Sequence, residues 1–188
     1  MKKTKRRIFK TAIKLFAEKG FENAGIEEIT AISGVAKGSF YYHFETKEEI
    51  FDTLLETGYN LLLNSIEIKY RNCKNNKEKL QAIVLILLKV VALYEEFFTV
   101  VITNSLGQND RSYKCRDKIY KLVLIISKVL EDGIANEEFK DCDVEATSYY
   151  IFGLVYSTIL YRIKNNNEID SGEIYEKYID SILNGIVK

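Results

Sequence analysis

The chain has 188 residues, of which 47% are apolar and none is proline. This composition excludes a disordered chain and favours a helical globular protein, either one domain or a small head on a larger body. The net charge is zero, yet residues 1–47 hold ten basic and five acidic side chains, so a basic N-terminal part precedes an acidic remainder.

That charge asymmetry predicts that the N-terminal part meets a polyanion, unless it is a chance imbalance of the surface. The cysteines Cys73, Cys115 and Cys142 are widely spaced and form no Cys-x-x-Cys pair, which is typical of a reducing compartment. The most apolar run, residues 80–94, is interrupted by Lys89, and a membrane span needs about 18 apolar residues. The basic N-terminus lacks the apolar segment of a signal peptide. We therefore expect a cytoplasmic protein with no membrane contact.

A first helix is predicted over residues 5–19. Its core face carries Ile8, Ala12, Leu15 and Phe16, and Gly20 stands where a helix stop belongs. The basic residues that lead into it, from Lys2 to Arg7, either reach along DNA or form a solvated tail.

Residues 26–47 carry the most informative pattern, which is two short helices separated by a tight turn. Ile26, Ile29 and Ile32 at helical spacing predict the first helix, and Gly34 tolerates the positive φ of the turn. The second helix, residues 37–44, bears a lysine, a glycine, a serine, two tyrosines and a histidine, without a carboxylate. Such a set of hydrogen-bond donors suits phosphates and base edges.

The run from Gly34 to Lys47 closely resembles the recognition segment of the TetR family of bacterial transcriptional regulators, and Ala12–Phe21 resembles that family's first helix. The similarity covers roughly residues 5–52. It implies operator contacts at the matching positions Lys37, Gly38, Tyr41, Tyr42, His43 and Lys47. Ser39 joins this set because it is small enough to follow Gly38 into the major groove.

Two positions depart from the family pattern. Gly25 stands where the family usually has a threonine that caps the second helix and touches a phosphate. Ala36 stands where a serine often caps the recognition helix. We expect these changes to remove side-chain caps and to put one phosphate contact in doubt, not the binding mode.

The remaining chain predicts further helices. One begins at a capping box of Thr46 and Glu49 and continues to about residue 71. Others are predicted over residues 80–94, 95–106, 112–136, 144–164 and 173–187. The predicted fold class is therefore all-α. An N-terminal three-helix helix-turn-helix head, residues 1–47, precedes a larger helical-bundle body for ligand sensing and dimerisation, residues 48–188.

The body is expected to bind a small-molecule effector among its middle helices, because such pockets are mostly apolar. The alternative for each residue is ordinary core packing. The candidate effector-binding residues are Tyr59, Leu63, Phe97, Phe98, Ile102, Tyr120 and Tyr149.

The family resemblance implies that the last two helices form a four-helix interface with a second copy of the chain. The alternative is a helical pair within one chain. The candidate interface residues are Ile151, Val155, Thr158, Ile159, Arg162, Tyr178, Ile182 and Ile186.

His43 is the only histidine, and no nucleophile or ligand cluster accompanies it in the sequence. We therefore predict no catalytic residue, no metal site and no cofactor. The predicted function is a homodimeric, ligand-responsive regulator, a repressor that binds a palindromic double-stranded DNA operator. The alternative is a helical interaction protein whose basic head binds an acidic protein partner.

Overall fold

The computed structural model describes residues 3–164 and 171–187; within these ranges it does not describe the side chains of residues 159, 160, 162–164, 171–175, 177 and 178. The predicted all-α class is confirmed, since the described residues form helices and a single isolated bridge pair, Phe139 with Val187. The helices are α1 (Lys3–Lys19), α2 (Ile26–Ser33), α3 (Lys37–His43), α4 (Lys47–Tyr70), α5 (Asn76–Leu93), α6 (Glu95–Ser105), α7 (Asp110–Ala135), α8 (Val144–Lys164) and α9 (Ser171–Ile186).

The described residues divide into two compact units. The first unit combines the residues up to Asn60 with Glu96–Arg116, and the second combines Leu61–Glu95 with the residues from Asp117 onward. The first unit therefore adds α6 and the start of α7 to the segment that carries the helix-turn-helix.

In the first unit, α1, α2 and α3 pack on one another around buried aromatic side chains. The Phe21 ring lies 4.9 Å from the Phe16 ring and 5.5 Å from the Phe51 ring, measured between centroids. Such tilted and edge-on pairs add about 0.5–1.5 kcal/mol each to the burial of the rings. The loop after α1 is thereby fixed to both α1 and α4.

A close contact between α4 and α6 also lies within the first unit. A Cβ added at Gly58 would overlap the ring of Phe97. The absence of a side chain at Gly58 is therefore what lets the Phe97 ring lie against α4.

The core of the second unit is α5, which packs against α8 and α9. Its side chains Leu80, Ile83, Val84, Leu87 and Val91 are buried. None of the described helices combines the length and the apolarity that crossing a bilayer requires.

The three cysteines are free thiols. Cys115 is buried, and this burial raises its pKa to about 11, whereas Cys73 and Cys142 are partly exposed.

A single carboxylate closes the N-terminus of α5. Glu138 accepts hydrogen bonds from the backbone N–H groups of Asn76 at 2.7 Å and Lys77 at 3.2 Å, and from the Asn76 side-chain amide at 3.0 Å. The Asn75 side chain accepts from the next free N–H, that of Glu78, at 2.8 Å. These bonds satisfy donors that the first turn of a helix leaves without internal partners.

We expect Glu138→Ala to lower the free energy of unfolding by about 1–3 kcal/mol, because it leaves buried donors of α5 unpaired. Urea unfolding followed by circular dichroism measures this change. Glu131→Ala, an exposed position on α7, is the control, with an expected change within about 0.5 kcal/mol. Equal midpoints for the two variants would contradict a capping role for Glu138.

Candidate nucleic-acid interface

The turn between α2 and α3 is built on Gly34. This residue has φ 61° and ψ 40°, a left-handed conformation that glycine adopts without steric cost. The Gly34 N–H donates to the Ala31 carbonyl at 3.2 Å, and the Val35 N–H donates to the Thr30 carbonyl at 3.0 Å. This pair of bonds is the Schellman motif, which ends α2 and starts the chain toward α3.

Basic residues of α1 hold this turn and the recognition helix. The Arg7 guanidinium donates to the Ser33 and Gly34 carbonyls at the C-terminus of α2, where the helix dipole favours a cation. The Lys5 ammonium lies 4.6 Å from the centroid of the Phe44 ring. Because α1 begins at Lys3, Lys5 and Arg7 are helical residues with partners inside the head and are not a solvated tail.

Burial of two phenylalanines sets which face of α3 meets solvent. Phe40 and Phe44 are buried. Tyr41 is 48% and Tyr42 75% exposed, and Gly38 and Ser39 are also exposed. The donor-rich face of α3 therefore points outward, and a Cβ added at Gly38 would meet no atom within 4 Å.

The two departures from the family pattern have the local effect that the sequence predicted. Gly25 and Ala36 occupy the N-cap positions of α2 and α3 in extended conformations. Neither residue supplies a side-chain capping hydrogen bond. Of the three isoleucines at helical spacing in α2, Ile32 is 62% exposed. Only Ile29 of the three isoleucines is fully buried; α2 is two turns long and buries a narrow face.

Lys37, the first residue of α3, is paired within the head. Its ammonium lies 3.0 Å from Oε1 of Glu27, the second residue of α2. The hydrogen bond to Glu27, followed by the charge of the same carboxylate, raises the pKa of Lys37. The neighbouring Glu28 pairs with Lys19 of α1.

His43 ends α3 with a partly exposed ring. Its centroid lies 4.9 Å from that of Tyr42 in an edge-on arrangement. In the part of the chain that the structure describes, no group of three or more His, Cys, Asp or Glu side chains is arranged to hold a metal ion.

The start of α4 has a side-chain cap close to the predicted capping box. Thr46 Oγ1 accepts from the Glu49 N–H at 3.1 Å. The Glu49 carboxylate accepts in return from the N–H of Glu45 at 2.7 Å, one residue earlier than in the standard box. This cap fixes the point at which α4 begins.

Lys47 is held inside the head more than the sequence indicated. Its ammonium donates to the Phe21 carbonyl at 2.8 Å and to the Glu22 carbonyl at 3.2 Å, and it lies 4.5 Å from the centroid of the Phe21 ring. These contacts tie the start of α4 to the loop after α1. An operator contact by Lys47 stays a prediction.

Arg111, near the start of α7, is a residue of this unit that sequence reasoning missed. Its guanidinium lies 3.9 Å from the centroid of the Phe21 ring and pairs with Glu22 and Glu48. Its side chain is only 15% exposed. It belongs to the same unit as the helix-turn-helix, and no local pattern in the sequence links it to Phe21, which lies 90 positions earlier.

The seven candidate effector-binding residues fall into both units. In the first unit, Phe98 is buried and its ring lies 5.7 Å from that of Phe97, whereas Tyr59, Phe97 and Ile102 are half-buried. In the second unit, Leu63 is half-buried, and Tyr120 and Tyr149 lie on the surface. Their role in effector binding stays a prediction.

The candidate interface residues on α8 and α9 largely face the interior of their own unit. Ile151, Val155, Thr158 and Ile182 are buried without any second copy of the chain, because α8 and α9 pack against α5. Ile186 is half-buried. The outward face of α8 instead carries Tyr149, Tyr150, Gly153 and Tyr156. The side chains of Ile159, Arg162 and Tyr178 lie outside the described residues.

Two family profiles match the chain. The profile of bacterial regulatory proteins, tetR family, matches residues 8–54, which include α2 and α3. The profile of the tetracyclin repressor-like C-terminal domain matches residues 73–186.

Relatives of nearly full length are also found. The fatty acid metabolism regulator protein of Bacillus subtilis (strain 168) is 24% identical over 184 residues, covering 95% of this chain and 93% of that protein. The structure of a candidate fatty acid metabolism regulator of Clostridium perfringens has a TM-score of 0.87 and 28% identity, covering 97% of this chain and 99% of that one. The transcriptional regulator FadR of Bacillus subtilis in complex with stearoyl-CoA has a TM-score of 0.79 at 22% identity, covering 96% of this chain and 98% of that one, and therefore supports the fold alone.

We expect Gly38→Ala to separate folding from DNA binding. The added methyl meets open space, so it should stabilise α3 by about 0.5–1 kcal/mol. The same methyl should hold the backbone away from a duplex and weaken DNA binding about tenfold, within the cost of overpacking of about 1–3 kcal/mol.

Thermal unfolding and fluorescence anisotropy measure these two effects. Gly185→Ala is the control, because Gly185 is also helical and also has open space at its Cβ, but lies in α9 of the second unit. Unchanged DNA affinity in Gly38→Ala would show that the duplex does not approach this position.

Proposed function

Because the chain belongs to the tetR family of bacterial regulatory proteins and is a DNA-binding transcriptional regulator, we propose that it is a ligand-responsive repressor that binds a palindromic operator as a homodimer. The observation that carries this proposal is the outward, donor-rich face of α3. Buried Phe40 and Phe44 hold that face in place, and its exposed members include Tyr41 and Tyr42.

The chemistry of this face fits duplex DNA. The first 47 residues carry twice as many basic as acidic side chains, and phosphate neutralisation supplies much of the affinity of DNA-binding proteins. Tyrosine hydroxyls and a histidine donate to phosphate oxygens and set orientation, whereas Ser39 enters the major groove and Lys37 contacts a phosphate or a guanine edge. We assign DNA binding to residues 1–47 and ligand binding and dimerisation to residues 48–188.

The homodimer uses the outward face of α8. The exposed residues Tyr150 and Tyr156 lie three positions before and three positions after Gly153, whose Cβ position has no atom within 4 Å. Tyrosine is enriched in protein interfaces, and a glycine between tyrosines permits close approach of a second helix. A two-fold dimer of this kind presents two copies of α3, which accounts for a palindromic operator.

The effector carries an acyl chain. Two relatives that align over nearly their whole length are named for fatty acid metabolism, and apolar and aromatic candidates of the first unit such as Phe97 and Ile102 suit such a chain. The effector releases DNA because it binds the DNA-free state more tightly than the bound state. The protein acts in the cytoplasm and catalyses no reaction.

Selection of duplexes from a randomised pool tests the operator. We expect a two-fold symmetric motif, bound saturably by one dimer, with an affinity that falls steeply as salt rises. Stearoyl-CoA should release this duplex and coenzyme A alone should not. Absence of saturable, salt-sensitive binding would contradict the proposed function, and release by neither compound would contradict the acyl effector.

We expect Tyr42→Phe to weaken operator binding about fivefold per head, since a lost hydrogen bond costs about 1 kcal/mol. The salt dependence should stay unchanged, because a neutral hydroxyl releases no counterion. Anisotropy titrations at several salt concentrations measure both quantities. Tyr113→Phe removes a hydroxyl from an exposed tyrosine on α7 of the same unit and should leave affinity unchanged. Equal affinities for both variants would exclude the Tyr42 hydroxyl as a DNA contact.

A further inference from the structure

The Glu27–Lys37 pair places a carboxylate at the N-terminal end of the recognition helix. The Glu27 side chain is 84% exposed and that of Lys37 57% exposed, so the pair lies in solvent. Its two members come from different helices, α2 and α3, which pack on each other. The recognition helix itself holds no acidic residue.

A carboxylate at this place opposes binding to DNA in general. While Glu27 holds Lys37, the ammonium is neutralised and releases no counterion from the duplex. If the pair opens, Lys37 is free for a phosphate or a guanine edge, but the bare carboxylate then lies close to the phosphate backbone. An exposed ion pair contributes little to stability, so the pair opens easily, and the unfavourable element is the remaining negative charge.

One kind of base can compensate the electrostatic cost of a Glu27 carboxylate close to the phosphate backbone. The N-terminal residues of a recognition helix are those that contact base edges in the major groove, and Glu27 lies within hydrogen-bonding distance of the first residue of α3. In the major groove, the donor that matches a carboxylate is the N4 amino group of cytosine. A sequence that offers this donor compensates the negative charge, and other sequences do not.

We propose that Glu27 is a specificity-determining residue of the DNA interface, which restrains Lys37 in the free protein and accepts a hydrogen bond from a cytosine amino group in the operator. This inference rests on the proposed function. It adds a residue of α2 to a recognition surface otherwise formed by α3.

The test compares full-length Glu27→Gln with wild type in duplex selection and in anisotropy titrations on a duplex of unrelated sequence. We expect the variant to bind the unrelated duplex about three- to tenfold more tightly, with a salt dependence steeper by about one counterion per head. We also expect a weaker cytosine preference in its selected motif at one symmetric pair of positions, because a neutral amide oxygen accepts a weaker hydrogen bond than a carboxylate.

Glu67→Gln is the matched control. Glu67 forms an exposed pair with Arg71, also at 3.0 Å, on the part of α4 that belongs to the second unit, and its substitution changes the net charge equally. Circular dichroism melting curves establish that both variants fold as the wild type does.

The outcomes separate this inference from the proposed function. An unchanged motif in Glu27→Gln overturns the specificity role, whatever happens to general affinity. Equal gains for Glu27→Gln and Glu67→Gln on the unrelated duplex overturn the restraint of Lys37, because they reflect net charge alone. Failure of the wild-type protein to bind any duplex overturns the proposed function and this inference together.

Discussion

The burial of Phe40 and Phe44 is the constraint on which the recognition surface depends. α3 has seven residues, far fewer than the roughly 12–15 that an isolated helix needs to be even marginally stable in water. Its conformation and its orientation are therefore supplied by the head, through the two buried rings, the Gly34 turn and the contacts of Lys5 and Arg7. Because Phe40 and Phe44 are buried, Tyr41 and Tyr42 lie on the solvent-facing side of α3.

The basic residues of the head divide into two roles. Aromatic rings and carbonyl groups within the protein contact the side chains of Lys5, Arg7 and Lys47. The Lys37 ammonium instead lies at the surface and pairs with a carboxylate. A count of positive charges in the sequence therefore overstates the charge available to DNA. The free energy of DNA binding depends on which cations the fold leaves at the surface, and the ion pair at Lys37 sets part of that balance.

Periodicity and local signals were sufficient to predict the helices, the Gly34 turn and the missing caps at Gly25 and Ala36. Each of these features depends on residues a few positions apart. Contacts across long separations left no such signal. Arg7 meets Ser33 across 26 positions and Arg111 meets Glu22 across 89, and nothing in the local sequence around either arginine indicates its partner. The apolar face of α8 shows a further limit of sequence analysis. Periodicity identifies a buried helix face, but it does not show whether the same chain or a second copy covers that face. Ile151 and Val155 are covered within their own unit.

Phe21 offers its ring to two cations, the ammonium of Lys47 at 4.5 Å and the guanidinium of Arg111 at 3.9 Å. Each such contact contributes about 0.5–2 kcal/mol, depending on how far it is withdrawn from water. Because one ring serves both, the two cations are energetically coupled, and the losses caused by removing each singly do not sum to the loss caused by removing both. An aliphatic residue in place of Phe21 would abolish both attractions in one step. The loop after α1 therefore couples the stability of the beginning of α4 to the stability of the beginning of α7.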